Sequence, residues 1–340
     1  MTVDLDSLNA PQVICIGEAL LDRLGPLGGD PYADKPVEDC LGGAPANVAC
    51  GLAKLGINTA FAGRLGDDFI GKQFHKLFKT CGVNVQALQV DPVRPSRIVL
   101  VRRDLKGDRS FEGFQGGEEH GFADQALEVK ALKETWPGLL SNAGWLLAGT
   151  IPLATTTSAE TLLWGVEQAI KKEVKFALDI NWRPTFWSQN LSSNCGPNDA
   201  ALKKIAILLE NASLLKLANE EARWFFNTSD PVKISRSLPN RPDVVVTNGA
   251  RPLHWVIGGF AGEMKVFSPQ TVVDTTGAGD AFTAGLLQQY LTSSFNKLNQ
   301  EVVEEAVRFA AACGALVCGG PGGIDPQPTY EEIKNFLQDL

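Results

Sequence analysis

The run with the most chemical content is Val272-Val273-Asp274-Thr275-Thr276-Gly277-Ala278-Gly279-Asp280-Ala281-Phe282. A strand-like stretch enters a turn of small residues and leaves into an Ala- and Leu-rich helix. The turn sets the amides of Ala278, Gly279 and Asp280 at a helix N-terminus, where N–H groups have no internal acceptor and the positive dipole end draws anions. Gly277 and Gly279 let a phosphate come close to the backbone. A carboxylate on the rim of an anion hole is out of place unless it serves a reaction. Asp280 there can accept the proton of an attacking hydroxyl while the amides stabilise charge on a moving phosphoryl group. Taken alone, the same run also fits a capped helix after a glycine turn.

Two further segments carry polar groups suited to a hydroxyl-rich ligand. Leu41-Gly42-Gly43-Ala44-Pro45-Ala46-Asn47 opens a helix whose buried stripe is Val48, Leu52 and Leu55, with Pro45 tolerated in the first turn and Gly56 as its stop. Asn47 lies off that stripe and can both donate and accept. Gly17-Glu18-Ala19-Leu20-Leu21-Asp22 follows the first strand directly. Ligands of α/β sheets gather at the carboxyl ends of strands, so Asp22 is placed to reach a crevice there and to hold two hydroxyls at once. Packing geometry and an exposed loop aspartate are the competing explanations for these two segments. Two familiar phosphate motifs do not fit. Gly277-x-Gly279-x-x-Phe282 lacks the third glycine of a dinucleotide fingerprint, and Gly66 to Gln73 mimics a P-loop but has Gln73 where Ser or Thr should bind magnesium.

These segments need a scaffold, and the rest of the chain describes one. Short apolar runs alternate with helical patterns, the rhythm of a mostly parallel sheet with crossover helices. Strands are expected at Val13 to Gly17, Thr59 to Gly63, Trp145 to Gly149, Lys175 to Ile180, Ser213 to Leu217 and Asp243 to Thr247. Helices are expected at Ala46 to Leu55, Ile70 to Cys81, Ser158 to Lys172, Asn198 to Glu210, Ala281 to Leu291, Val302 to Cys318 and Thr329 to Leu340. Arg97 to Phe114 breaks the rhythm and predicts a β-hairpin turning near Lys106-Gly107-Asp108, with Pro36 to Cys40 as an extended piece able to pair with it. The 340 residues therefore predict a single domain over 1–340, a doubly wound α/β body with a small β-lid inserted from about 32–41 and 94–117.

Composition narrows the function classes. A net charge of −8 lacks the footprint of a nucleic-acid binder. The longest apolar stretch, Phe309 to Cys318, is too short to span a membrane, and Asp4 and Asp6 do not suit a targeting peptide. Seven cysteines without a CxxC pair read as reduced thiols, which predicts a cytoplasmic protein.

In this order and at these distances, the three segments resemble the ribokinase-like (PfkB-type) carbohydrate kinases, and the resemblance runs along nearly the whole chain. The helix of Gly42, Gly43 and Asn47 resembles the family's first signature, and Asp274 to Ala284 its second. Gly63-Arg64-Leu65-Gly66-Asp67-Asp68 with Gly71 is similar to the strand-turn after the first helix. Lys216 to Glu221 resembles the magnesium- and phosphate-associated motif, Thr247-Asn248-Gly249 the nucleotide-contacting turn, and Gly322-Gly323-Ile324 with Pro328-Thr329 the last loop and helix start. Gly17 to Asp22, and Asp179-Ile180-Asn181-Trp182-Arg183 followed by Trp187, look most like fructokinases.

The resemblance implies ATP-dependent phosphorylation of a primary hydroxyl on a small sugar, fructose first. By that analogy Asp280 is the general base, and the amides of Gly277, Ala278, Gly279 and Asp280 form the anion hole. Asp22, Gly42, Gly43 and Asn47 hold the sugar, with Arg183 near sugar or phosphates. Lys216, Glu221, Thr247, Gly249 and Gly322 meet the nucleotide, Glu221 through the water shell of Mg²⁺. Asp274 and the Thr276 backbone form a monovalent-cation site, K⁺ being the expected ion. The alternatives on this fold are a kinase of 2-keto-3-deoxygluconate, ribose or a nucleoside, and a non-catalytic regulatory relative. An exposed lid edge predicts a homodimer. The chain departs from the pattern at Ala218 and Ala311, where the family often has Asn, and at Phe111 to Gly117, which lacks the aromatic-Arg pattern of fructokinase lids. His75 and His120 are expected to be solvated and His254 to sit in a strand pair, while Trp164 and Trp224 are expected to pack.

Overall fold

The computed structural model describes residues 10–339 except 104, 106–108, 193, 270, 293, 294 and 296. Its strands are β1 (Val13–Ile16), β2 (Leu20–Leu27), β3 (Glu38–Gly42), β4 (Thr59–Gly66), β5 (Leu88–Asp91), β6 (Ile98–Arg103), β7 (Arg109–Gln115), β8 (Trp145–Ala148), β9 (Lys175–Asp179), β10 (Leu214–Ala218), β11 (Asp243–Asn248), β12 (Arg251–Ile257) and β13 (Phe260–Met264). Its helices are α1 (Ala44–Lys54), α2 (Phe69–Cys81), α3 (Val129–Leu140), α4 (Thr156–Lys171), α5 (Pro184–Trp187), α6 (Asp199–Leu209), α7 (Asn219–Phe226), α8 (Pro231–Ser237), α9 (Ala278–Tyr290), α10 (Gln300–Val317) and α11 (Tyr330–Gln338).

Runs such as Val13–Ile16 have no polar face because both of their faces are covered. Val13 and Cys15 pack into the layer of α1, α2, α9 and α10, while Ile14 and Ile16 pack into the layer of α3, α4 and α6. The nine-stranded sheet has the order β13-β12-β11-β10-β9-β8-β1-β4-β5. It is parallel from β11 to β5, and β12 and β13 add an antiparallel edge. Chain direction along the sheet reverses at β1, which pairs β4 on one side and β8 on the other. A crevice opens at such a switch point, beyond the carboxyl ends of the strands. This is the doubly wound, mostly parallel architecture expected from the sequence. Among the described residues no helix is long and apolar enough to cross a membrane.

The lid is a four-stranded sheet of order β3-β2-β6-β7. The expected hairpin is β6 with β7, and its turn at Lys106-Gly107-Asp108 lies outside the described residues. The extended piece ending at Cys40 does not pair with that hairpin. β2 lies between them, antiparallel to β3 and parallel to β6, so Leu20–Leu27 joins the lid segments read from the sequence. Gly25 and Pro26 within β2 disguise it as a turn, and a register shift between Leu24 and Leu27 accommodates them. Pro137 likewise hides α3, whose entry has no side-chain cap.

Candidate active site

A cavity of about 540 Å³ opens where the lid meets the carboxyl ends of β1, β9 and β10. It brings together residues from distant parts of the chain, including Glu18, Asp22, Gly43, Asn47, Arg183, Lys216 and Thr275 to Asp280.

Helix α9 begins at Ala278, earlier than the expected Ala281, so the first turn itself carries the candidate amides. Gly277 caps it at φ 77°, and a Cβ there would lie 2.6 Å from the Gly323 Cα. Both the left-handed backbone and the contact require glycine. The Ala278 amide donates to the Thr275 carbonyl at 3.3 Å, while Gly279 and Asp280 complete the turn against the cavity. Asn47, in the first turn of α1, donates from Nδ2 to Asp280 Oδ2 at 2.7 Å. This bond joins the two signature segments across 233 residues. Burial pushes the Asp280 carboxyl up to about 6, with Asp179 adding to the push; Lys216, Asn47 and Arg183 pull the other way.

Lys216, in the middle of β10, forms an ion pair with Asp179 at the end of β9, with Nζ 3.0 and 3.2 Å from its two oxygens. Burial alone would lower the Lys216 pKa, but Asp179, Glu221 and Asp280 outweigh it and hold the ammonium charged. Glu221 accepts the Trp182 amide at 2.7 Å and the Ala218 amide at 2.6 Å, bracing the loops after β9 and β10. It is buried and does not line the cavity. Burial and Asp179 raise its carboxyl above the usual range against Lys216 and the two amides.

The sugar-side candidates converge on the lid root. Asp22 sits on β2, opposite Cys40 on β3 and Val99 on β6, rather than in a loop. A Cβ on Gly42 would lie 3.2 Å from Asp22 Oδ2 and 3.8 Å from Asn47 Oδ1, so the missing side chain leaves that corner open. Arg183 lines the same cavity from the N-terminus of α5. Asp274 accepts the Thr276 amide at 2.9 Å and the Gly322 amide at 2.7 Å, tying the turn before α9 to the last loop. Thr247 is the last but one residue of β11, and Gly249, at φ 58°, makes the turn into β12. Thr247, Gly249 and Gly322 do not line the cavity.

Three features escape a reading by motif. Asp179 stands in a recognised segment, yet only its pairing with Lys216 marks its position as part of the site. The Glu18 Oε2 is buried without a hydrogen-bond partner, and burial pushes the carboxyl up to about 8. Arg97 is buried, forms a two-pronged pair with Asp124 at 3.0 and 3.1 Å, and lies within 4.3–4.7 Å of the ring centres of Phe114, Phe122 and Phe186. Phe186 is itself a wall of the cavity. The bland readings of two residues agree with the structure: His75 is exposed, and His254 faces Glu263 across β12 and β13.

Residues 10–330 match the pfkB family carbohydrate kinase profile. The chain belongs to this family of carbohydrate kinases. It is 31% identical to the probable fructokinase-6, chloroplastic, of Arabidopsis thaliana over 342 residues, which cover 99% of this chain and 85% of that protein. The structure of a fructokinase with bound ATP from Xylella fastidiosa superposes with a TM-score of 0.79 at 26% identity, covering 96% of this chain and 98% of that one. A fructokinase from Vibrio cholerae in a fructose-, ADP- and calcium-bound form gives 0.78 at 26%, covering 97% and 99%. The ribokinase-like fold and the sugar-kinase class thus rest on sequence and structure together, and this kinase is a transferase.

Proposed function

We propose that the kinase phosphorylates a primary hydroxyl of fructose or a closely related small sugar, with Asp280 as general base. The observation that carries this reading is the Asn47–Asp280 hydrogen bond, which sets a carboxylate between an anion-hole helix terminus and a corner of hydroxyl-binding groups. The relatives named fructokinase, one of them holding fructose and ADP, favour that sugar.

ATP lays its phosphates against the first turn of α9, near Lys216 and Arg183. Asp22, Gly42, Gly43 and Asn47 orient the sugar. As the hydroxyl oxygen attacks the γ-phosphorus, its proton passes to Asp280, and the bond to the bridging oxygen breaks with the electron pair leaving on ADP. The acceptor hydroxyl and the γ-phosphate meet directly at Asp280, so no phosphoenzyme is needed. Among the described residues no cluster of three His, Cys, Asp or Glu side chains could hold a metal ion alone. A Mg²⁺ would be carried in on the nucleotide, and Glu221, whose two oxygens accept backbone amides, would brace the strand ends beside it. Bound there, the ion neutralises charge on the phosphates.

ADP release from MgATP with a panel of fructose, 2-keto-3-deoxygluconate, ribose and nucleosides tests the substrate; fructose is expected to give the highest kcat/KM, and a nucleoside preference would overturn the sugar assignment. Asp22→Ala is expected to raise the sugar KM at least tenfold with little change in kcat, because hydroxyls are held equally in ground and transition states. An unchanged sugar KM would remove Asp22 from the site. We also place a monovalent cation at Asp274 and the Thr276 backbone, where it would order the anion-hole turn that Asp274 already ties to Gly322. Potassium is expected to raise kcat severalfold over a bulky organic cation; equal rates in both would count against the site.

A further inference from the structure

Among the described residues two buried side-chain oxygens have no hydrogen-bond partner, and both belong to residues that line the cavity: Glu18 Oε2 and Asn47 Oδ1. Asn47 already has a place in the site through Asp280. Glu18 has none, although it is 2% exposed and firmly held. A Cβ on Gly17 would stand 2.6 Å from Pro45 Cγ, and one on Gly43 2.7 Å from the Glu18 carbonyl oxygen, so the turn after β1 lies directly against the start of α1. The Ala44 amide, at the start of a helix with no side-chain cap of its own, donates to Glu18 Oε1 at 3.2 Å. The carboxyl group is thus fixed at one oxygen and open at the other.

No protein cation answers the open oxygen. Arg97 shares with Glu18 a pocket of about 10 Å³, room for no more than one water, but it is spent in its two-pronged pair with Asp124. Lys216 is paired to Asp179, and together with Arg183 it faces the phosphates in the function proposed above. Burial pushes the Glu18 carboxyl up to about 8; Asp124 and Asp280 add to the push, while its own amide and that of Ala44 pull the other way. A protonated carboxyl donates from Oε2, and a carboxylate accepts there. A hydroxyl suits both states, because it accepts and donates.

We propose that Glu18 is a specificity-determining residue whose Oε2 bonds a hydroxyl of the acceptor sugar other than the one phosphorylated. The inference rests on the cavity binding a sugar, and it adds to that reading a demand for a hydroxyl at one particular carbon. A sugar without that hydroxyl strands a buried oxygen at the moment the sugar itself has displaced the solvent, and a site of this kind rejects such an analogue strongly.

The test crosses Glu18 variants with monodeoxy analogues of the preferred sugar, each keeping the phosphorylated hydroxyl, and reads kcat/KM with MgATP. In the wild-type kinase one analogue is expected to lose at least about 10²-fold relative to the parent sugar. With Glu18→Leu the same analogue should lose less than about threefold, because the oxygen that required the hydroxyl is gone, while the penalties of the other analogues stay as they were. Glu18→Ala is run beside it, since a small side chain lets water reach the Ala44 amide and spares the helix start. Glu18→Gln, which still offers an oxygen to that amide and an N–H₂ to the sugar, should keep the penalty. Two results would overturn the proposal. One is a loss in Glu18→Leu and Glu18→Ala that is equal for the parent sugar and every analogue, which makes Glu18 a brace for α1 alone. The other is a wild-type kinase that tolerates every monodeoxy analogue within about threefold. If either occurs while Asp280→Asn abolishes turnover of the sugar, the Glu18 assignment alone fails; if the wild-type kinase phosphorylates no sugar, the sugar reading fails and Glu18 with it.

Discussion

Asp280→Asn is expected to lower kcat by about 10²–10⁴-fold, the loss that follows removal of a general base. The substitution keeps the shape of the side chain, its place in the first turn of α9 and a group able to meet Asn47, so the fold should survive. ATP binding should survive as well, since in the proposed site backbone amides and Lys216, not the carboxylate, face the phosphates. The pH profile gives a second readout. Burial and Asp179 push Asp280 up to about 6, so the base is protonated and idle below that pH and ionised above it. In the free enzyme, kcat/KM should therefore fall as pH drops through about 6. Asp280→Asn should abolish that limb along with the activity. Folded Asp280→Asn that turns over sugar at the wild-type rate would refute the mechanism.

Asp124→Leu is expected to destabilise the fold by about 3–5 kcal/mol, the cost of leaving a buried partner charge uncompensated. Arg97 and Asp124 are 3% and 6% exposed, which removes water as a substitute partner. The rings of Phe114, Phe122 and Phe186 surround the guanidinium, but cation–π contacts at about 2 kcal/mol or more do not replace a two-pronged carboxylate. Joining Arg97→Met to Asp124→Leu should restore most of the loss, because the site then holds no charge and the rings accept an apolar chain. Urea midpoints of the single and double variants measure this. Since Phe114 belongs to the lid and Phe186 to the cavity wall, the single variant should also loosen the lid. A wild-type midpoint for Asp124→Leu would show that the pair does not hold the lid to the body.

Much of this protein is written in short-range pattern. The parallel body follows from apolar runs such as Val13–Ile16 and Val244–Val246, which can be satisfied only by cover on both faces. The turn into α9 follows from small residues before a helix, whose first amides are left without an internal acceptor. Strand β2 was illegible because Gly25 and Pro26 spell a turn locally, and only pairing with β3 and β6 overrides that preference. Asp22 consequently comes from the lid sheet and not from a loop.

The sequence by itself thus determined the body and the aspartate on the α9 turn, since each depends on neighbours within a few residues, and the family through the order and spacing of its motifs along the chain. Tertiary structure alone decided which groups meet that aspartate. Asn47 reaches Asp280 because α1 and α9 lie side by side. Lys216 is aimed by Asp179 because β9 and β10 are adjacent in register. Arg97 and Asp124 find one another under the lid, in a setting too dry for either to remain alone. Contacts of this kind are fixed by how layers stack and strands align, and no spacing along the chain encodes them.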